Sequence, residues 1–137
     1  MLAGLILAGL MAGCPKDNPN PTILETRHQP YVADVPVPAK FTLVESKSSN
    51  TYTAGRRTVK HLYEGYSEPI TVRTFYMNYM PMSNWVITED TLQDNVYHLK
   101  YRKAEERCEI RIEKSATGFR HATQIWATIR SDAPEKF

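Results

Sequence analysis

Three segments near the C-terminus alternate apolar and polar residues with a period of two, and they restrict the fold more than any other feature of this chain. In VYHLKYR (96–102), Tyr97, Leu99 and Tyr101 alternate with His98, Lys100 and Arg102. In RCEIRIE (107–113), Cys108, Ile110 and Ile112 alternate with Arg107, Glu109, Arg111 and Glu113. In QIWATIR (124–130), Ile125, Ala127 and Ile129 alternate with Trp126, Thr128 and Arg130. Successive side chains of a strand point to opposite faces, so each segment reads as a strand with one face on a core and one in water. The links KAEE and KSATG suit hairpins, which predicts an antiparallel meander.

A sheet with one apolar face needs a second layer to cover it. Val72, Phe75, Tyr76, Tyr79 and Met80 fall at i, i+3, i+4, i+7 and i+8, the stripe of an amphipathic helix. Ser67 or Glu68 can cap its start and Pro69 suits the first turn. Pro81 disfavours helical geometry at Met80 and should end the helix there. Asn84 is suited to a left-handed position before Trp85 opens the next strand. Upstream, FTLVES from Phe41 reads as a first strand, SKSSNTYTAG as a polar turn region, and RRTVKHLYEG as a second strand ending near Gly65. The expected fold is α+β in two layers, one helix packed on an antiparallel sheet of about five to six strands.

The N-terminus carries a different signal. Residues 1–13, MLAGLILAGLMAG, are charge-free, too short to span a bilayer and of the length of a signal-peptide apolar region. Leu10-Met11-Ala12-Gly13-Cys14 resembles the lipobox of bacterial lipoproteins. That resemblance implies cleavage before Cys14, diacylation of its thiol, and a stable anchor, since two or more acyl chains hold where one does not. Pro15 follows the cysteine where aspartate would resemble an inner-membrane retention signal, so the periplasmic face of the outer membrane is expected. The organisation follows: signal peptide 1–13, lipid-anchored proline-rich tether 14–38, α+β domain 39–131 and tail 132–137. Within the tether, Tyr31, Val32, Val35 and Val37 are apolar enough to lie against the domain.

The run VRTFYMNYMPMSNW, with the strands that follow it, resembles a small domain of uncharacterised bacterial lipoproteins. In that domain a helix with a Phe-Tyr pair ends at Met-Pro and a Trp opens the next strand. The likeness covers about residues 34–131, its motifs are packing features, and it implies no activity.

The remaining residues bound the function. The chain has 137 residues, one domain's length, with 23% charged and 42% hydrophobic residues, as in globular proteins. A net charge of +2 is too small to argue for nucleic acid, and no nucleic-acid partner is expected. His28, His61, His98 and His121 lack the close spacing of metal ligands, so no metal or other cofactor is expected; His61 and His98 become neighbours only if their strands pair. Cys108 alternates with isoleucines and should be buried and inert, though a thiol-dependent enzyme stays open as a minor reading. Ser46, Ser48 and Ser49 lack a nucleophile-elbow context and read as turn residues. Glu105 and Glu106 sit in a hairpin link as solvated carboxylates, and no catalytic residue is assigned.

The outward positions are basic: Arg57, Lys60, Lys100, Arg102, Arg107, Arg111, Arg120 and Arg130. Interleaved Glu109 and Glu113 suit cross-strand ion pairs on a solvated face, and an anion-binding surface is the alternative. Outward Trp126 beside Arg130, with Arg111 and Arg102, is the candidate partner-binding set, unless the tether covers it. The leading expectation is a non-enzymatic binding or scaffold module, membrane-anchored at Cys14, that docks on another envelope protein. The alternative is direct binding of an anionic envelope polymer or lipid headgroup by the basic sheet face.

Overall fold

The structure, a computed structural model, describes residues 23–115 and 122–132; Cys14 and the leader, the first part of the tether, Arg120, His121 and the end of the tail lie outside the described residues. The order is β1 (Thr42–Leu43), β2 (Ser49–Thr53), β3 (Arg56–Gly65), α1 (Pro69–Tyr79), β4 (Val86–Gln93), β5 (Val96–Lys103), β6 (Glu106–Lys114) and β7 (Thr123–Ser131). One antiparallel sheet runs β1-β3-β7-β6-β5-β4, and β2 pairs with β3 on the same side as β1.

The three alternating segments form β5, β6 and β7, paired as a meander. Leu99, Tyr101, Cys108, Ile110, Ile112, Ile125, Ala127 and Ile129 are all buried on the inner face. Seven strands exceed the expected five to six, and the added one is β2. Its residues, SNTYT, lie in the stretch read as a polar turn, and every one is exposed. An edge strand with neither face on the core has no reason to alternate, so period-two reading misses it. The segment FTLVES yields only the short β1, because a 3-10 turn at Glu45–Lys47 interrupts the edge. Ser48 holds that turn, its Oγ donating to the Val44 carbonyl at 2.7 Å and accepting the Leu62 N–H at 3.0 Å.

Helix α1 begins at Pro69, with Glu68 at the N-cap making no side-chain cap. Val72, Phe75, Tyr76 and Met80 are buried against the sheet. The α-helix ends where Pro81 was expected to stop it, with Tyr79 its last residue and Met80 its C-cap. The chain then winds on as a short 3-10 helix, Met80–Ser83, whose first turn accommodates Pro81 and its missing N–H donor. Asn84 then takes the left-handed conformation expected of it, φ 67°, and turns the chain into Trp85 and β4.

The rest of the inner face is covered by the N-terminal segment. Val32, Val35, Val37 and Phe41 belong to the same core cluster as the helix and strands. Tyr31 stacks on Tyr63 with ring centroids 5.6 Å apart, and Asp34 accepts the Trp85 indole N–H on its carbonyl at 2.8 Å. Gly65, at the end of β3, gives Phe41 its place: a Cβ there would lie 2.7 Å from the ring.

An ionic clasp fastens this segment. The Asp34 carboxylate receives two hydrogen bonds from Arg57, one of them at 2.9 Å from Nη1, and a third from the Lys103 ammonium. Arg57 also donates to both carboxylate oxygens of Glu106, at 2.6 and 2.8 Å. Arg57 therefore does not join the outward basic face on which it was expected. It shares the inner side with Val59, and Glu106 is an ion-pair partner rather than a solvated carboxylate. Burial by itself raises the Asp34 pKa, but the hydrogen bonds and charges of Arg57 and Lys103 outweigh it and hold the pKa at about 2.

Two outcomes test this arrangement. Asp34 is depressed relative to its ordinary value of 3.8, so its stabilisation is complete above that value and is lost as pH falls towards about 2. The loss should amount to at most about 2 kcal/mol, measured as urea midpoints against pH, and Asp34→Asn should be destabilised at neutral pH with a flatter acid limb. Gly65→Ala should cost about 1–3 kcal/mol by overpacking Phe41, measured in the same denaturation.

Candidate functional site

With helix α1 and the N-terminal segment on one side, the opposite face of the sheet carries no helix, and Leu62 of β3, beside Trp126, is the large apolar side chain fully buried on it among the described residues. The register sorts its side chains into rows across the strands. At one end, Arg102 on β5 lies opposite Arg107 on β6, and Arg107 lies opposite Arg130 on β7. The next row runs Glu89, Lys100, Glu109, Thr128, Lys60. The third is Thr91, His98, Arg111, Trp126, Leu62. Beyond it, Glu113 pairs with Gln124 and Gln124 with Glu64.

These rows differ in electrostatic character. The second is mixed in sign: Lys100 Nζ lies 2.7 Å from Glu89, which raises its pKa through that hydrogen bond and charge. In the third, Lys60 from the neighbouring row and Arg111 approach the Trp126 ring, 5.1 and 5.7 Å from its centroid. Arg111 also reaches Glu113 at 3.5 Å, and His98 faces Glu109 at 3.9 Å. The interleaved carboxylates thus make the cross-strand and neighbouring contacts expected of a solvated face.

The arginine row is different. Like charges directly opposite one another on neighbouring strands are destabilising, and here three guanidinium groups occupy one row. Their carboxylate partner is Asp132, one residue past the end of β7, at 2.9 Å from Arg107 Nε and 3.7 Å from Arg102. Among the described residues Arg130 makes no ion pair. A cleft of about 370 Å³ runs beside the row, lined by Lys100, Arg102, Arg107, Glu109, Thr128, Arg130 and Thr88. Thr88 is at the β-bulge where β4 shifts register between Ile87 and Glu89. The side chains of Arg102 and Arg107 are 57% and 63% exposed, open to a ligand from solvent.

The structure divides the four residues singled out from sequence. Arg102 and Arg130 belong to the arginine row, while Arg111 and Trp126 form a separate aromatic centre one row beyond the mixed one. Trp126 is half-buried among cationic side chains rather than standing free, and the N-terminal segment lies on the other face of the sheet. Asp132 was not legible as a site residue, because it follows the last strand and no periodicity places it.

Other candidates are separated or buried. His61 and His98 are not neighbours: β3 pairs with β7, leaving β7 and β6 between their strands. His61 faces the core with its Nδ1 2.8 Å from the Tyr63 hydroxyl, and burial pushes its pKa down. Cys108 is 1% exposed, and burial first, then the Asp34 charge, pushes its thiol well above the usual thiol range. No group of three or more His, Cys, Asp or Glu able to hold a metal ion occurs among the described residues.

No curated protein and no solved structure matches the chain. A family model described as START domain-like matches residues 43–124, from β1 into the start of β7. The match takes in α1, Arg102, Arg107 and Arg111, and ends before Trp126, Arg130 and Asp132. Because that match covers more than half of the 137 residues, this chain belongs to the START domain-like family.

Proposed function

We propose that this protein is a non-enzymatic binding module of the bacterial cell envelope, held to the membrane through acylated Cys14, whose outer sheet face binds an anionic envelope component. The observation that carries the reading is the arginine row. Three opposed guanidinium groups with one carboxylate beside them are costly in an unliganded sheet, and an anion relieves the repulsion. The leader, the proline-rich tether and the outer-membrane expectation supply the location, and the buried, high-pKa Cys108 weighs against thiol chemistry.

A second reading, docking on another envelope protein, rests on Trp126. It sits near the centre of the face with Lys60 and Arg111 against its ring, in the manner of an interface anchor. The two readings part on salt. Contacts between exposed charges are screened when the Debye length shrinks, whereas a desolvated aromatic anchor is not.

The test compares full-length protein purified from its own membranes with Cys14→Ala, Trp126→Ala and the combined Arg102→Gln, Arg107→Gln and Arg130→Gln variant. Intact mass should show a diacylglyceryl group on Cys14 and none on the alanine variant. Envelope components captured in low salt should be released by high salt, absent from the arginine variant and retained by Trp126→Ala. Components that survive the salt wash and are lost with Trp126→Ala alone would transfer the function to protein docking.

A further inference from the structure

We infer that the row of Arg102, Arg107 and Arg130 is a binding site for a phosphate monoester, and that Asp132 is a built-in competitor occupying part of it. The inference rests on the anion-binding reading above and names its ligand. Three observations carry it.

The first is a count of donors against acceptors. A carboxylate offers two oxygens, and the one present, Asp132, approaches Arg107 and Arg102 while leaving Arg130 without an ion pair among the described residues. A phosphate monoester offers three terminal oxygens and up to two negative charges, matching a row of three planar guanidinium forks. The second is selectivity within the face. Lys100 is already paired to Glu89 and shares its row with Glu109, and Lys60 lies over the Trp126 ring, so the cations set directly opposite one another on neighbouring strands are the three arginines.

The third is the position of Asp132. It lies just past the β7 ladder and is fixed by its backbone N–H donating to the Glu105 carbonyl. Its side chain is 28% exposed and reaches the row from the end, so it can leave the arginines without breaking the sheet. An intramolecular carboxylate held at this distance competes at a high effective concentration. It lowers affinity for every external anion, and the ligand that displaces it must bring more charge and more oxygens than it removes. That sets a threshold which weak carboxylate ligands do not pass.

The same phosphate chemistry is found on lipid headgroups and on soluble or polymer-borne groups, and the test separates these sources. Acylated full-length protein in neutral detergent micelles is titrated with inorganic phosphate and, separately, with acetate. The Nε–Hε NMR signals of Arg102, Arg107 and Arg130 are followed. Phosphate should shift all three signals and acetate should shift them weakly. Asp132→Asn should tighten phosphate binding several-fold, while Glu113→Gln, the same charge change beside Arg111, should leave it unchanged. Arg107→Gln should abolish the response.

Equal tightening by Asp132→Asn and Glu113→Gln, or weaker binding by Asp132→Asn, would overturn the competitor role. Acetate binding as tight as phosphate would overturn the ligand class. If phosphate moves none of the three signals, yet the combined arginine variant still loses its salt-released envelope components, this inference fails and the anion-binding function stands. If the capture is also unaffected, both fail. Repeating the titration with phosphatidic acid in the micelles identifies the source: protection of the three signals from added phosphate points to a lipid headgroup, and an unchanged titration to a soluble or polymer-borne one.

Discussion

One short helix cannot cover this sheet, and the rest of the architecture follows from that mismatch. Helix α1 has 11 residues, about 16 Å of length, and a helix with its side chains is about 10 Å wide. The sheet is six strand positions across, so its five gaps span about 24 Å. The helix lies over the β5–β6 side, where Met77 meets the Tyr101 hydroxyl and Arg73 pairs with Asp90 of β4. The β3 side would be bare without Val32, Val35, Val37 and Phe41. The N-terminal segment is therefore as much a part of the second layer as α1, and the Asp34 clasp is what holds an irregular, proline-rich stretch in register with the strands beneath it.

The clasp also separates the two faces electrically. Arg57 and Lys103 are cationic side chains on the inner side of β3 and β5, and Asp34 and Glu106 pair with them there. Arg102 and Arg107, one residue away along the same hairpin, point to the other face and receive none of that compensation. The β5–β6 hairpin thus carries two sets of positive charge back to back, one satisfied within the fold and one left to solvent and Asp132. A clasp pairing is worth more than a surface pair because its side chains are only 22–25% exposed and each group makes several hydrogen bonds.

Much of this was legible in the sequence where a physical period exists. Alternation placed the inner and outer residues of β5, β6 and β7, and the 3.6-residue stripe placed Val72, Phe75, Tyr76 and Met80. The opposition of Arg102 and Arg107 was implicit too, since a two-residue link at Ala104 and Glu105 forces that register. Arg130 was not assignable to the same row, because the chain between β6 and β7 is too long to set a register. Edge strand β2 escaped for want of a buried face. The Asp34–Arg57–Lys103 contact escaped because it joins residues 23 and 69 positions apart, and no local pattern encodes it.

The contrast between adjacent rows is what supports reading the outer face as more than a solvated surface. A face selected only for solubility has no reason to sort its charges, and mixing signs across strands stabilises each pair by a few tenths of a kcal/mol. The row of Glu89, Lys100, Glu109 and Lys60 is mixed in that way. The neighbouring row, on the same three central strands and more exposed, places arginine opposite arginine opposite arginine. Arginine's planar fork also suits bidentate recognition of carboxylate and phosphate, which lysine's point charge does not. Acidic Glu113 and Glu64 gather at the far end of the face, so its charge runs from positive to negative along the strands. On the proposed anion-binding reading, a ligand with one concentrated negative group would have a single preferred end of this face, the one where Asp132 lies.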